Sequence, residues 1–382
     1  MEQRNLMLAL GLSLAILIGF QFLFGPADEP VPVDTPLAEA VAPGGPTPTP
    51  GQPPVAGGAP NAPGGAGAVP GAAAVAVATV LDRETVLGAL PRVQIESPRV
   101  HGSFGLTGGR IDDLWLSGYR ATLAPDSPEV LLLSPVGAQG AYYAEFGWAA
   151  DPAAQVVVPD AQTVWQSDRS TLTPESPVTL TWDNGQGLKF IRTVRIDDNF
   201  MFEVTQRVEN TGTVPVTLFP YALASRSGTP EVLGFFILHE GPIGVFDQTL
   251  TEVDYDDLRD DGAIEKTSTG GWIGITDKYW LVALVPDQKT EFSAGFRHSF
   301  AQEDKYQVDY LQGGVTIAAG ATGEVTNRLF AGAKEVQTLE AYRASLGIDR
   351  FDLAVDWGWL FFLTKPIFLA IHYLFGLFGN FG

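Results

Sequence analysis

Phe202–Glu203–Val204–Thr205–Gln206–Arg207–Val208 alternates two classes of side chain, the two-residue period of a strand with one face buried and one wet. Arg92–Val93–Gln94–Ile95–Glu96–Ser97 and Val178–Thr179–Leu180–Thr181–Trp182 repeat the pattern. Asn184–Gly185, Asn210–Thr211–Gly212, Gly313–Gly314 and Gly320 supply turn chemistry between such runs. Helical periodicity is missing until Val336–Ala344. Strands this closely spaced over roughly 260 residues imply stacked antiparallel sheets, a large mainly β sandwich with few helices. Trp115, Trp148, Trp165, Trp182, Trp272 and Trp280 belong in its core or on its sheet faces.

Upstream of the strands the texture changes twice. Leu6–Phe24 is apolar except for Ser13 and Gln21, long enough for a membrane-spanning helix of about 20 residues. Pro26 follows Gly25 directly, and no small-x-small site closes the run, so residues 1–25 read as an uncleaved anchor. Arg4 precedes the span and the next basic residue is Arg83, which puts the N-terminus in the cytoplasm and the remainder outside. Residues 26–80 consist largely of Pro, Gly, Ala, Val and Thr and hold 13 of the chain's 28 prolines, too few large side chains to offset ordering entropy. They read as a disordered tether that bridges about 40 Å as a coil.

The net charge of −21 excludes ordinary nucleic-acid binding, which needs clustered Lys and Arg. The absence of cysteine excludes disulfides, thiolate metal sites and a thiol nucleophile. There is no GxSxG elbow, HExxH helix or GxxxxGK loop. His101, His239 and His298 are far apart in sequence and read as structural or surface groups. Asp254–Gly262 invites a calcium-loop reading, but the alignment puts Arg259 and Ser268 at ligand positions, so a solvated acidic hairpin is expected. No catalytic, cofactor-binding or metal-ligating residue is assigned.

The C-terminal stretch is more specific. A helix is expected from Pro366, suited to a first turn, to about Phe378, roughly 20 Å and too short to span a bilayer. Lys365 and His372 share one narrow face, with Phe, Leu and Ile around the rest. Paired tryptophans beside a charged edge favour the headgroup region, so the helix should lie along the membrane. Its interfacial residues are Trp357, Trp359, Phe361, Phe362, Lys365, Pro366 and Phe368.

Asp356–Trp357–Gly358–Trp359–Leu360 with Lys365–Pro366, ending in Gly379–Asn380–Phe381–Gly382, resembles the segment that enters the core of the bacterial YidC membrane protein insertases. Gln3–Arg4–Asn5 is similar to that family's start, and Gly270–Gly271–Trp272–Ile273–Gly274 with Tyr279–Trp280 and Pro286 to a signature of its periplasmic domain. The resemblance implies an N-terminal transmembrane helix with a cytoplasmic N-terminus, a periplasmic antiparallel β-supersandwich of galactose mutarotase-like type over residues 81–347, and an interfacial amphipathic helix in 348–382. It implies a non-enzymatic insertase and chaperone of the bacterial inner membrane. Its partners would be the lipid bilayer, nascent inner-membrane proteins and the Sec translocon with accessory subunits.

In the family, a groove arginine and five core helices follow the position of Gly382. The closing apolar run, with no cationic anchor after it, reads as a chain cut short before that core. The other reading is a membrane-tethered carbohydrate-binding or mutarotase-like sandwich. It would need a cleft in which His and carboxylate groups converge.

Overall fold

The computed structural model describes Val69 and residues 81–230, 238–358 and 360–378. The expected anchor and, Val69 apart, the tether lie outside the described residues.

Two large sheets carry the fold. One has eleven strands, nine of them in the order Ile264–Thr269, Glu291–Phe300, Asp304–Gln312, Val216–Ser227, Tyr142–Ala150, Ile111–Arg120, Val100–Gly105, Arg92–Glu96, Thr171–Leu172. Glu129–Leu133 adds beside Ile111–Arg120, and Val315–Ile317 beside Val216–Ser227. The other has nine, from Thr249–Glu252 through Gly241–Phe246, Gly271–Thr276, Trp280–Val285, Thr322–Ala333, Met201–Asn210, Leu188–Ile196 and Val178–Asp183 to Gln166–Ser167. Neighbours pair antiparallel, except that Arg92–Glu96 meets Thr171–Leu172 in parallel. The mainly β expectation holds.

Alternation becomes burial as the two-residue period dictates. In Leu188–Ile196, Leu188, Phe190, Arg192, Val194 and Ile196 are buried, and Val194 stands opposite Val204 in the next strand. Trp148, Trp165 and Trp272 are buried, while Trp115, Trp182 and Trp280 are half-buried. Arg192, only 4% exposed, crosses the interior over the Trp165 ring and donates to the carbonyls of Phe146 and Gly109, the latter at 2.9 Å. Burial lowers it to about 10.

The strand Gly271–Thr276 is buried along its whole length. Gly271 sits at φ +103°, where a Cβ would come within 2.0 Å of the Val245 carbonyl oxygen, so only glycine fits. Trp272 beside it meets Phe351 edge-on at 5.5 Å, and Phe351 meets Phe330 at 5.4 Å. The 3-10 turn Phe351–Ala354 thus packs the chain leading to the C-terminal helix into the core.

Four helices accompany the sheets among the described residues: α1 (Arg83–Gly88), α2 (Tyr255–Asp261), α3 (Val336–Leu346) and α4 (Phe361–Phe378). The acidic run expected as a hairpin is the helix α2. Buried Tyr255 and Leu258, three residues apart, anchor one face, and Gly262 at φ +86° ends it. The C-terminal helix starts at Phe361, earlier than expected, and takes Pro366 inside. The first turn forms without that proline because Leu363 and Thr364 donate to the Leu360 carbonyl, and the Thr364 hydroxyl donates to the Trp357 carbonyl at 2.8 Å. No helix of the described residues is long and apolar enough to cross a membrane.

Candidate functional site

Helix α4 is seated on the sandwich by its few polar groups. Lys365 Nζ lies 3.3 Å from Glu340 of α3 and 3.8 Å from Asp352. His372 Nε2 is 2.5 Å from Gln337 Nε2, also on α3. Phe368, 38% exposed, packs edge-on against Trp357 at 5.2 Å and stacks on His372. The rest of the helix surface is largely apolar and open: Phe362 is 61% exposed, Tyr373 68%, and Leu363, Ile367, Leu369, Ile371 and Leu374 between 43% and 48%. A soluble surface helix buries its apolar stripe and wets its polar one. This helix does the reverse, and such a strip marks a partner or membrane surface.

Of the residues expected at the interface, Phe362 and Pro366 lie exposed, Lys365 and Trp357 are half-buried, and Phe368 joins the strip to the domain. Phe361 is the first residue of α4, and Trp359 lies outside the described residues. Lys365, expected in the interfacial set, pairs with Glu340 and Asp352.

Between α4 and the sandwich runs a furrow of about 1070 Å³. Tyr119, Tyr279, Trp280, Trp357 and Phe368 form its aromatic walls, and Leu123 stands fully exposed at its mouth. A second hollow of about 710 Å³ adjoins it and shares Arg120, Leu123, Tyr279 and Trp280.

Charge in the furrow is organised by pairs remote in sequence. Arg99 donates to Glu335 through both Nη2 and Nη1, the latter at 2.8 Å, Tyr119 also donates to Glu335, and the Thr338 hydroxyl does so at 2.8 Å. Burial pushes the Glu335 carboxyl up, but these donors overcome it and bring it down to about 2. Burial, with Glu335 as acceptor, pushes Tyr119 up to about 12. Lys334 donates to Thr276 Oγ1 at 2.8 Å; burial lowers it to about 8 against the pull of Asp277, Asp356, Glu240 and Glu252. Asp356 accepts the backbone N–H groups of His239 at 3.1 Å and Gly358 at 2.7 Å, which fixes the turn into α4.

The histidines do not converge. His101 pairs with Glu129 at 2.6 Å and His298 with Asp304 at 2.8 Å, while His239 contacts Asp254 at 3.5 Å. His101 and His298 stand on strands of one sheet five spacings apart, about 24 Å. Among the described residues no group of three His, Asp or Glu could hold a metal ion. What the furrow offers is binding: aromatic walls, an apolar lip and cations at its edge. Sequence reading passed over Arg99, Tyr119, Arg120 and Lys278. The one local signal was Tyr279–Trp280, noticed as a motif.

Residues 92–370 match the family described as the YidC periplasmic domain. The chain is 45% identical to the membrane protein insertase YidC of Beijerinckia indica, covering all of this chain and 62% of that protein. It is 43% identical to that of Methylobacterium radiotolerans, covering 100% and 63%. The chain thus spans less than two thirds of the length of these relatives. Among solved structures it is similar to a galactose mutarotase related enzyme from Lactobacillus acidophilus, with a TM-score of 0.44 and 11% identity over 63% of this chain and 97% of that one. A putative aldose 1-epimerase from Escherichia coli follows at 0.41 and 9%, covering 63% and 98%.

Proposed function

The chain belongs to the family of the YidC periplasmic domain, and from that membership we propose that it works in the insertion and folding of inner-membrane proteins. In this reading residues 1–25 anchor the chain with the N-terminus in the cytoplasm, and 26–80 tether it. Residues 81–347 form a periplasmic supersandwich of galactose mutarotase-like type that docks partners. Residues 348–382 hold α4 against the outer leaflet, with Trp357, Trp359, Phe361, Phe362, Lys365, Pro366 and Phe368 as its interfacial set. Nascent membrane proteins and the Sec translocon with its accessory subunits are the partners. Insertion is assistance to polar groups crossing lipid, where an unsatisfied group costs several kcal/mol, rather than covalent chemistry.

The observation that carries this reading is the inverted polarity of α4, whose charged and hydrogen-bonding groups turn to α3 while its apolar side chains face outward. The relatives named as insertases, aligned over the whole chain, support the biological role. A photoreactive residue at Phe362 in the full chain should cross-link to lipid, and one at Tyr279 to nascent inner-membrane proteins during synthesis. Absence of both products sinks the proposal.

The carbohydrate reading has an aromatic furrow in its favour but lacks converging histidines, and the relatives do not favour it.

A further inference from the structure

Two cations at the furrow stand apart from the charge pattern of the chain. Every other described arginine meets a carboxylate or a backbone carbonyl; Arg120 meets neither among the described residues. Its cross-strand neighbour Glu129 is turned to His101 at 2.6 Å. Lys278 Nζ lies 4.9 Å from the Tyr279 ring centre and has no carboxylate partner among the described residues. Of the nearby acids, Glu335 is held by Arg99 and Tyr119, Asp277 by Arg226 at 2.6 Å and Asp356 by two backbone N–H groups, while Glu240 accepts the backbone N–H of Lys278 at 3.0 Å. Arg120 and Lys278 thus line one furrow as side-chain cations with no carboxylate bonded to either among the described residues. Screening confines charge effects to about 8–10 Å, so an anion in direct contact with these two groups feels them more than the acidic surface farther away, and Glu335 and Asp356 disfavour it elsewhere in the furrow.

The surroundings name the rest of the ligand. From Arg120 and Lys278 the furrow passes Leu123, Tyr279 and Trp280 and reaches Trp357 and Phe368, the residues that connect it to the apolar strip of α4. An anionic head beside the cations with apolar chains along the aromatic wall is the shape of a phospholipid. A guanidinium grips phosphate oxygens in pairs, and tryptophan and tyrosine favour the headgroup level. We infer that this furrow binds an anionic phospholipid, its phosphate at Arg120 and Lys278 and an acyl chain along Tyr279, Trp280 and Trp357. The inference rests on α4 facing the membrane. It adds a headgroup preference that an apolar helix alone would not have, and it holds the sandwich in one orientation on the leaflet.

The test uses the full chain in phosphatidylcholine nanodiscs doped with photoreactive phosphatidylglycerol or, in parallel, phosphatidylcholine bearing the same reactive acyl chain. Peptides carrying Leu123 and Tyr279–Trp280 should be labelled by the anionic lipid in preference, by roughly fivefold per cation. Arg120→Ala with Lys278→Ala should bring that labelling down to the phosphatidylcholine level and leave α4 labelling unchanged. Equal labelling by both lipids in the parent chain, or a preference that survives the double substitution, overturns the inference. If neither lipid labels α4, the membrane-facing reading fails, and the furrow is judged by dihexanoyl-phosphatidylglycerol below its micelle concentration, read by tryptophan fluorescence. Binding lost in the double variant then supports the furrow by itself, and no binding overturns it. Equal binding of glycerol 3-phosphate makes a free phosphate the occupant, and binding of an acidic apolar peptide alone makes it polypeptide; either result overturns the lipid assignment.

Discussion

In Gly271–Thr276 every side chain is buried, and Trp272, Phe330 and Phe351 meet edge to face in a dry interior. In α4 residues of the same kinds stand 38–68% exposed, while the polar groups of that helix turn inward to α3. Both regions obey the same preference of apolar surface to leave water. The sandwich satisfies it within the chain, whereas α4 leaves its apolar surface for whatever covers it. A stretch of sequence that is apolar all round is therefore not evidence of a core until the position of its polar neighbours is known.

The comparison is broken most severely from the sandwich side. Trp272→Ala should cost about 3–5 kcal/mol of stability, read as a lowered urea midpoint, because the rings around it cannot collapse into the space. Replacing Phe362, Ile367 and Leu374 with serine should leave that midpoint nearly unchanged and weaken vesicle flotation by about tenfold or more per side chain. A large midpoint shift in the triple variant would mean that the strip is core and not an outward face.

The polar side of the comparison gives smaller effects. Lys334 is lowered to about 8 by burial against four opposing carboxylates. Between about pH 8 and its ordinary 10.5 the unfolded chain holds a proton that the folded chain has released, so stability rises with pH across that window. Lys334→Met should flatten that rise in a series of urea midpoints. Smallest of all, Lys365→Ala removes half-exposed pairs with Glu340 and Asp352 and should cost less than about 0.5 kcal/mol. Its readout is faster amide exchange in α4 with the sandwich unaffected.

Much of the fold was legible because a two-residue period survives in sequence wherever one strand face is buried, as in Leu188–Ile196. The acidic run was misread because its charges mask Tyr255 and Leu258, the two residues that define the helix face of α2. The start of α4 was misplaced because Pro366 suits a first turn, while the carbonyl of Leu360 and the Thr364–Trp357 bond start the helix earlier. Of the site, the aromatic and apolar residues near 357–368 were legible as a cluster. The furrow was not, since its walls come from Tyr119, Trp280, Trp357 and Phe368 on separate elements.

By itself the sequence determined the strand content, the family motifs and the presence of an apolar C-terminal helix, all of which depend on neighbours within a few residues. Which sheet each strand entered, which side of α4 turned outward, and which side-chain cations kept no carboxylate partner among the described residues were decided only by tertiary structure. The physical reason is range. Arg99 finds Glu335 across 236 positions, and pairings at such separation depend on where the backbone has already been placed.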